Sequence, residues 1–417
     1  MNIHGSSSHP RVRKGRGRRR LVFGGAAFGF TLAFGTLLAP PSPAVATLAV
    51  TPRIPMDLER GSRDAVPQAI GALVQSPSIE LAGHRSGDPQ TGKKKKRVKK
   101  QRAKKKTRDT ASGGGSSRER APRKLPWPSG ISCWYGRGFT LSEFERWRGA
   151  RVDALHGWAP RTSWEDMLRY FRGGSYGKFA RAKASVVAIS VPLFIQAERG
   201  RFDRCAAGAF DKYFVEIGRI TRERGGRPPI IRLGWEANLN WAPWAIGSRA
   251  EEYKACFRRV AKALRRGNRD LKIEWALGRG NKIGDWRKAY PGDDVVDLIG
   301  LSYYDRYPPI RSQGDWETYA STPPEHRVLG IETFLAFAKE RGKKLGIGEW
   351  AVSDGRGGGF DNPLFVENMY RFLERNARHI AYETYFNCGR NGVYRVYPST
   401  HNPDAAAAYR RLWSGKR

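Results

Sequence analysis

Two glutamates, Glu236 and Glu349, each follow a short apolar run that predicts a buried β-strand. Each also has an indole beside it, because Trp235 precedes the first and Trp350 follows the second. Two carboxylates at the ends of strands in one sheet can hydrolyse a glycosidic bond, one as acid and base and the other as nucleophile or base. Either glutamate alone is more simply interpreted as a solvated charge, but the pair favours catalysis.

The elements that must position these glutamates alternate along the chain from Pro126 onward. Apolar runs predict strands at residues 131–135, 151–156, 185–192, 271–277, 295–303, 344–349 and 380–386, with the fourth strand beginning at Ile230. A helical segment follows each strand, so the predicted fold class is α/β, a (β/α)8 TIM barrel. The glycine-rich turn typical of a nucleotide-binding doubly wound sheet is absent from the sequence.

The C-terminal ends of barrel strands are where working residues lie. The predicted strand ends are rich in aromatic and amide side chains, including His156, Trp158, Tyr304 and the segment 236–244. Such groups stack on sugar rings and hydrogen-bond to hydroxyls, so this edge predicts a carbohydrate site. Core packing is an equal alternative for the indole of Trp158, and His156 could instead satisfy a backbone carbonyl.

The segment around Glu236 resembles the strand-four motif of glycoside hydrolase family 26. In that motif Arg stands four residues before the acid/base Glu, Asn two after it and Trp five after it, a spacing matched by Arg232, Asn238 and Trp241. The chain departs from the family at Trp235, where His is usual, and at Leu239, where Gly is usual.

Two further segments carry the resemblance. Residues 300–304 are similar to the family's strand-six segment, whose tyrosine lies near the nucleophile, and residues 348–350 resemble the strand-seven segment that contains the nucleophile. The resemblance covers roughly residues 130–413, within a predicted catalytic barrel of residues 126–417.

The resemblance implies a retaining double displacement. Glu236 would protonate the departing oxygen and later deprotonate water, while Glu349 would attack the anomeric carbon. Arg232 would hold Glu349 ionised, and Tyr304 would donate a hydrogen bond to the same carboxylate. Three other acids, Glu274, Glu383 and Asp305, are weaker candidates because the first two lie within predicted strands and the third lacks the motif.

The remaining motif residues imply a groove for a sugar chain. Asn238 would orient hydroxyl groups. The indoles expected to act as sugar platforms are those of Trp158, Trp241, Trp244 and Trp350. Core packing is an equal alternative for Trp244. The resemblance makes an endo-acting hydrolase of a β-linked polysaccharide the first expectation, with β-mannan as the first guess. The alternative is a non-catalytic barrel that binds a cell-wall polysaccharide.

The net charge of +37 is concentrated before the barrel. Residues 1–125 contain 27 Lys and Arg but only 7 Asp and Glu. Residues 47–125 are rich in Pro, Gly, Ser and charge, and lysine runs cluster at residues 93–106. Such a segment buries too little apolar surface to fold, so we expect a disordered linker. It is either a solvated spacer or a ligand for an anionic wall polymer or membrane surface; no nucleic acid partner is expected.

Residues 1–46 have the pattern of a signal peptide. Basic residues 11–20 precede an apolar stretch at residues 21–38, and Ala44-Val45-Ala46 offers a cleavage site. The arginines at 18–20 are a weak indication of twin-arginine export, and an uncleaved anchor is the alternative. We therefore expect a secreted or extracellular protein, with attachment to the cell surface or membrane as the alternative.

Four cysteines lie in the predicted barrel, and an even number in an exported chain favours disulfides. Closure of the barrel would place Cys133 and Cys388 on neighbouring strands, which leaves Cys205 to pair with Cys256. Neither the cysteines nor the seven scattered histidines have the spacing of a metal site, so no metal and no cofactor is expected.

Overall fold

A computed structural model describes residues 122–389, 393–398 and 400–415. The expected signal peptide and almost all of the expected linker lie outside the described residues. Within those residues, no helix is both long enough and apolar enough to cross a bilayer.

Eight parallel strands in the described residues close into a barrel in which each strand pairs with its neighbours in chain order. The strands are β1 Ser129–Ser132, β2 Ala154–Trp158, β3 Val186–Val191, β4 Ile230–Leu233, β5 Lys272–Gly278, β6 Leu298–Tyr304, β7 Lys344–Ala351 and β8 Ile380–Phe386. The pairing of β1 with β8 completes the ring. The predicted (β/α)8 barrel is therefore confirmed, and the C-terminal ends of all eight strands lie at one face.

The first strand begins and ends earlier than the sequence predicted. It covers Ser129–Ser132, not residues 131–135, because Cys133 adopts a φ of 55°, which an extended strand does not accommodate. Cys133 leaves the sheet at this point and bonds to Cys388 beyond the end of β8.

Helices surround the barrel. They are α1 Leu141–Arg148, α2 Trp164–Arg172, α3 Gly174–Arg181, α4 Phe202–Ala206, α5 Asp211–Glu223, α6 Ala250–Gly267, α7 Gln313–Ala320, α8 Ile331–Glu340, α9 Pro363–Arg375 and α10 Pro403–Ser414. Each of the longer helices packs against the rest of the protein through hydrophobic residues along one face. In α6, for example, Tyr253, Phe257 and Leu264 are fully buried.

Both expected disulfides are present. Cys133 bonds to Cys388, which connects the ends of β1 and β8 where the barrel closes. Cys205 in α4 bonds to Cys256 in α6, which connects two neighbouring helices on the outside of the barrel. All four cysteines are therefore paired, and the order of strands in the barrel accounts for the first pair.

Candidate active site

Three polar residues lie side by side inside the barrel on consecutive strands. Ser190 on β3 is the register partner of Arg232 on β4, and Arg232 is the register partner of Glu274 on β5. All three side chains are fully buried. Burial of a guanidinium costs free energy unless opposite charges and hydrogen bonds compensate for the lost water. The partners of Arg232 therefore indicate its role.

Arg232 is bound to two carboxylates. Its Nε donates to Glu274 Oε1 at 2.8 Å, and its Nη1 donates to Glu349 Oε1 at 2.8 Å. Its Nη2 donates to Ser302 Oγ at 3.2 Å. Glu274 also accepts a hydrogen bond from the hydroxyl of Tyr382 at 2.6 Å. The guanidinium is thus oriented from behind by Glu274 and presents its other side to Glu349.

Glu349, near the C-terminal end of β7, accepts hydrogen bonds from three different strands. Besides Arg232, Tyr304 donates its hydroxyl to Oε2 at 2.7 Å and Trp158 donates Nε1 to Oε1 at 3.2 Å. Burial, and then the charge of Glu349, raises the pKa of Tyr304, so its hydroxyl keeps its proton and remains a donor. One guanidinium, one phenol and one indole therefore orient the carboxyl group of Glu349.

Glu236 lies three residues beyond the end of β4, in a tight loop. Its φ is 54°, in the left-handed region that residues other than glycine rarely adopt. Gly234, two residues earlier, has the same φ. Glycine is needed at 234, because a side chain there would collide with Leu193. Such backbone strain at a candidate catalytic residue is held in place by the surrounding loop.

Asn238 anchors this loop to the end of β5. Its Nδ2 donates to the carbonyls of Gly278 at 2.8 Å and Gly280 at 2.6 Å, and its Oδ1 accepts from the amide of Gly278 at 2.8 Å. The Glu236 amide also donates to the Ala276 carbonyl at 2.9 Å. The amide of Asn238 is fully engaged with backbone and is 0% exposed, so it positions Glu236 and does not present its amide to a sugar.

The environment of Glu236 suits a general acid. Burial, and then the charge of Glu349, raises the pKa of Glu236 to about 7, whereas a hydrogen bond from Trp241 opposes the shift. That bond joins Trp241 Nε1 to Glu236 Oε2 at 2.9 Å. A carboxyl group with this pKa keeps its proton in a large share of the molecules at neutral pH, as a general acid requires.

Three indoles cluster in the loop after β4. The ring centroid of Trp235 lies 4.8 Å from that of Trp244 and 5.8 Å from that of Trp241. Trp244 is fully buried and donates Nε1 to the carbonyl of Trp235 at 2.9 Å, so packing is its role. Trp241 is only partly buried, lies against the guanidinium of Arg161 at 5.1 Å and donates to Glu236, so it is the indole of this loop that remains partly exposed beside the candidate acid.

The expectation that Trp350 is a sugar platform is wrong. Successive residues of a strand point to opposite faces, so Trp350 points away from the barrel interior that Glu349 faces. Its indole is 0% exposed, donates to Glu383 Oε2 at 2.6 Å and stacks on Trp413 at 5.5 Å. Trp158, in contrast, is partly buried at the predicted site and donates to Glu349.

His156 is buried beneath the site. Its Nε2 lies 2.8 Å from Ser190 Oγ and 3.3 Å from Arg232 Nη1. Since Arg232 can only donate, Nε2 is an acceptor and the ring is neutral; burial and the charge of Arg232 lower its pKa. The ring is 0% exposed, so it supports Arg232 from within the barrel and is not in reach of a substrate at the surface.

The three rival acids have structural partners. Glu274 pairs with Arg232, and Glu383 accepts from the indoles of Trp127, Trp350 and Trp413. Asp305 accepts from the Ile310 amide at 2.7 Å and from Asn362 Nδ2 at 2.7 Å. Each is therefore engaged by partners of its own, and Glu236 and Glu349 remain the two candidates for catalysis.

Sequence reasoning did not assign functions to Ser190, Ser302 or Tyr382 and considered Glu274 only as a rival acid. Ser190, Ser302 and Glu274 lie within strands whose other residues are mostly apolar. A polar residue inside a strand that is buried on both faces is the signal that could have identified them, because such a group must find a partner. The described residues contain no cluster of three or more His, Cys, Asp or Glu placed to hold a metal ion.

Known proteins resemble this barrel. Residues 197–318 match the model described as "Glycosyl hydrolase family 26", a stretch that includes Arg232, Glu236 and Tyr304. A mannan endo-1,4-β-mannosidase from Bifidobacterium adolescentis is 28% identical over a stretch that covers 49% of this chain and 21% of the relative's length. Endoglucanase H from Acetivibrio thermocellus is 23% identical over a stretch that covers 67% of this chain and 30% of the relative's length. The chain thus spans less than a third of the length of these two relatives.

Solved structures share the fold. The structure of GH26C from a Muricauda species superposes with a TM-score of 0.51 at 16% identity, covering 70% of this chain and 85% of that one. This match supports the barrel architecture already described. Together with the family model, it confirms the resemblance of this chain to glycoside hydrolase family 26.

Proposed function

We propose that this protein is a glycoside hydrolase that cleaves O-glycosidic bonds of a β-linked polysaccharide by a retaining double displacement. The observation that carries the proposal is the contrast between its two site glutamates. Glu236 has a pKa raised to about 7, whereas Glu349 accepts hydrogen bonds from Arg232, Tyr304 and Trp158. A carboxyl group that keeps its proton near neutral pH and a second one surrounded by hydrogen-bond donors can act as acid and nucleophile on one bond.

In the proposed first step, the Glu236 proton passes to the glycosidic oxygen as the bond between that oxygen and the anomeric carbon breaks. A carboxylate oxygen of Glu349 forms a bond to the anomeric carbon. In the second step Glu236, now ionised, takes a proton from water, and the resulting hydroxide displaces Glu349. Retention requires the two carboxyl groups to be about 5 Å apart.

The nature of the relatives supports a β-glycan substrate, with β-mannan as the first choice. One relative is named a mannan endo-1,4-β-mannosidase and another an endoglucanase. A third, from a Vibrio species, is named a β-1,3-xylanase and is 32% identical over 22% of this chain. Because Trp235 replaces the polar neighbour that the family usually has before the acid/base Glu, the sugar preference of this site has to be measured directly.

We also propose that the protein is exported, and that the lysine-rich segment of residues 93–106 holds it near an anionic wall polymer or membrane surface. The basic and apolar pattern of residues 1–46 supports export. Two disulfides in the barrel support an oxidising compartment. Fractionation of cells that express the full chain, with and without residues 93–106, tests both parts.

The first experiment measures reducing-sugar release by the full chain from β-mannan, mixed-linkage β-glucan, β-1,4-xylan and β-1,3-xylan. We expect release from at least one polymer and a fall of roughly 10²–10⁴-fold in Glu236→Gln. Glu251→Gln, on the exposed surface of α6, is the matched control and should act as the parent does.

Azide distinguishes the two roles. Added to Glu349→Ala, azide should restore cleavage and yield a glycosyl azide of inverted configuration, and added to Glu236→Ala it should yield one of retained configuration. Binding of a polymer without any release by the parent would instead favour the non-catalytic alternative, a barrel that only binds a wall polysaccharide.

A further inference from the structure

Two large aromatic side chains project into solvent from the catalytic face. Tyr307, in the loop after β6, is 52% exposed, and Phe360, in the loop after β7, is 61% exposed. They are the large hydrophobic residues that the described part of the chain leaves exposed. The burial of such rings normally stabilises a fold, so rings left in water at the rim of a site indicate a ligand surface.

Both rings stand on strained backbone. Tyr307 has a φ of 53° and Phe360 a φ of 59°. An aromatic residue in the left-handed region is uncommon and costs free energy, since glycine or asparagine occupies it more readily. The two residues that are left exposed are therefore also held in a conformation that their own side chains disfavour. Strain of this kind is concentrated at ligand-binding positions.

The two loops are joined to each other, so the rings have a fixed relationship. An isolated β-bridge connects Arg306 in the loop after β6 with Gly358 in the loop after β7, and a second bridge connects Ser353 with Phe360 within the loop after β7. The Tyr307 amide donates to the carbonyl of Gly357 at 3.0 Å, and a side chain at Gly357 would collide with the Tyr307 ring. A rigid aromatic pair loses little conformational entropy when it binds a ligand.

Asp305 and Asn362 tie the bases of the same loops. Asn362 Nδ2 donates to Asp305 Oδ2 at 2.7 Å and to the Ile310 carbonyl at 2.6 Å. The Gly359 amide donates to the carbonyl of Asp305 at 3.0 Å. These hydrogen bonds explain why Asp305, which sequence reasoning considered a rival acid, is buried. They also hold the two loops that carry the exposed rings.

A continuous series of contacts leads from the catalytic carboxylate to this rim. Tyr304 donates to Glu349, and its ring centroid lies 5.4 Å from that of Tyr394. The Tyr394 hydroxyl accepts from Arg306 Nη1 at 2.6 Å, and the Arg306 guanidinium lies 4.6 Å from the centroid of Tyr307. Tyr307 is thus linked through direct contacts to the residues around Glu349.

We propose that Tyr307 and Phe360 form a distal sugar-binding subsite, in which their rings stack on sugar units of a β-linked glycan whose cleaved bond lies between Glu236 and Glu349. The proposal rests on the proposed function and names a further part of the same site. Stacking on the apolar faces of pyranose rings requires exposed, rigid aromatic rings, which this rim supplies. A chain too short to reach the rim gains nothing from it.

The test compares chain lengths. The full chain and its Tyr307→Ala and Phe360→Ala variants are assayed on oligosaccharides of two to six units derived from the polymer that the parent cleaves best. We expect kcat/KM on the longest oligosaccharide to fall about three- to tenfold in each variant, with little change on the shortest. The Phe360→Tyr variant, which keeps a ring, should retain most of the parent's preference for long chains.

Tyr213→Ala is the matched control, because Tyr213 is an aromatic residue of α5 that stacks on Trp164 at 4.4 Å, whereas Tyr307 and Phe360 lie in the loops after β6 and β7. Activity of every variant on the shortest substrate shows that it is folded. An unchanged length preference in both rim variants would overturn the subsite while leaving the proposed function intact. A parent that cleaves no glycan of any length would overturn both.

Binding gives a second, independent measurement. In the Glu236→Gln background, calorimetry should show that Tyr307→Ala weakens binding of the hexasaccharide about three- to tenfold and leaves that of the disaccharide unchanged. Equal affinity of both proteins for the hexasaccharide would contradict stacking at this rim and would favour a protein partner for these rings.

Discussion

The Nη1 of Arg232 donates a hydrogen bond to Oε1 of Glu349 at 2.8 Å, across the interior of the barrel from β4 to β7. The Nε of the same guanidinium donates a hydrogen bond to Glu274. Arg232 is 0% exposed, so its charge acts on Glu349 with little screening by water. Glu274 is therefore a positioning residue: it acts on the candidate nucleophile through Arg232.

Glu274→Gln tests this arrangement. Because the substitution leaves a buried guanidinium with one carboxylate instead of two, we expect the free energy of unfolding in urea to fall by about 3 kcal/mol. We expect kcat to fall more than KM changes, because Arg232 acts on Glu349 during the chemical steps.

Glu251→Gln, which removes one member of an exposed ion pair with Lys254, is its control and should alter stability by no more than about 1 kcal/mol. A Glu274→Gln protein with parental kcat and stability would show that Arg232 needs only Glu349.

The pH dependence of activity should follow Glu236. Its pKa of about 7 predicts that kcat/KM declines above neutral pH, where the acid has lost its proton. The measurement is a pH profile of kcat/KM on the best substrate. An alkaline limb well above pH 9 would contradict the assignment of Glu236 as the acid.

Stability should respond to the same group. The folded pKa of Glu236 is raised from 4.5 to about 7, so folding favours the protonated form. The stability that this preference contributes is fully present below pH 4.5 and is lost as the pH rises through about 7.

Glu236→Gln, which cannot ionise, should therefore exceed the parent by about 3 kcal/mol in free energy of unfolding at pH 8 and match it at pH 4. Urea denaturation at the two pH values makes the comparison. A difference that is the same at both would show that ionisation is not responsible.

Trp241 and Trp350 provide a matched pair of indole substitutions. Trp241→Phe removes the hydrogen bond to Glu236, so we expect kcat/KM to fall about tenfold with little loss of stability. Because that bond lowers the pKa of Glu236, its loss should move the alkaline limb to higher pH.

Trp350→Phe should reduce stability and leave the pH profile of activity unchanged. Its indole is packed between the barrel and Trp413 and donates to Glu383, so the variant should lose about 2 kcal/mol of stability and keep its pH profile. Thermal denaturation and kinetics of both proteins distinguish the roles. Equal loss of activity in the two would place Trp350 at the site after all.

The two disulfides should contribute unequally. They close sequence separations of 255 residues for Cys133 with Cys388 and 51 residues for Cys205 with Cys256. In the chain-entropy account, loss of the longer link costs about 5 kcal/mol and loss of the shorter about 4 kcal/mol. Paired serine variants measured in urea test this order. Reduction of the parent should lower its stability, whereas a variant without both disulfides should not respond to reductant.

Much of this protein follows from local sequence signals. The apolar runs predicted eight strands, and β8 at Ile380–Phe386 was predicted to the residue. Glu236 and Glu349 were predicted as a catalytic pair because each follows a buried strand, and the strands of a parallel barrel end at one common face. The cysteine pairing also followed once closure of the barrel was assumed.

Tertiary structure decided the functions of individual polar and aromatic side chains. Nothing local distinguishes Trp241, which donates to Glu236, from Trp350, which packs against a helix; the direction in which each points and what lies opposite decide it. Glu274 and Asn238 likewise acquired their roles from partners 42 and 40 residues away. A buried polar group is defined by the group that satisfies it, and that partner is known only when distant segments come together.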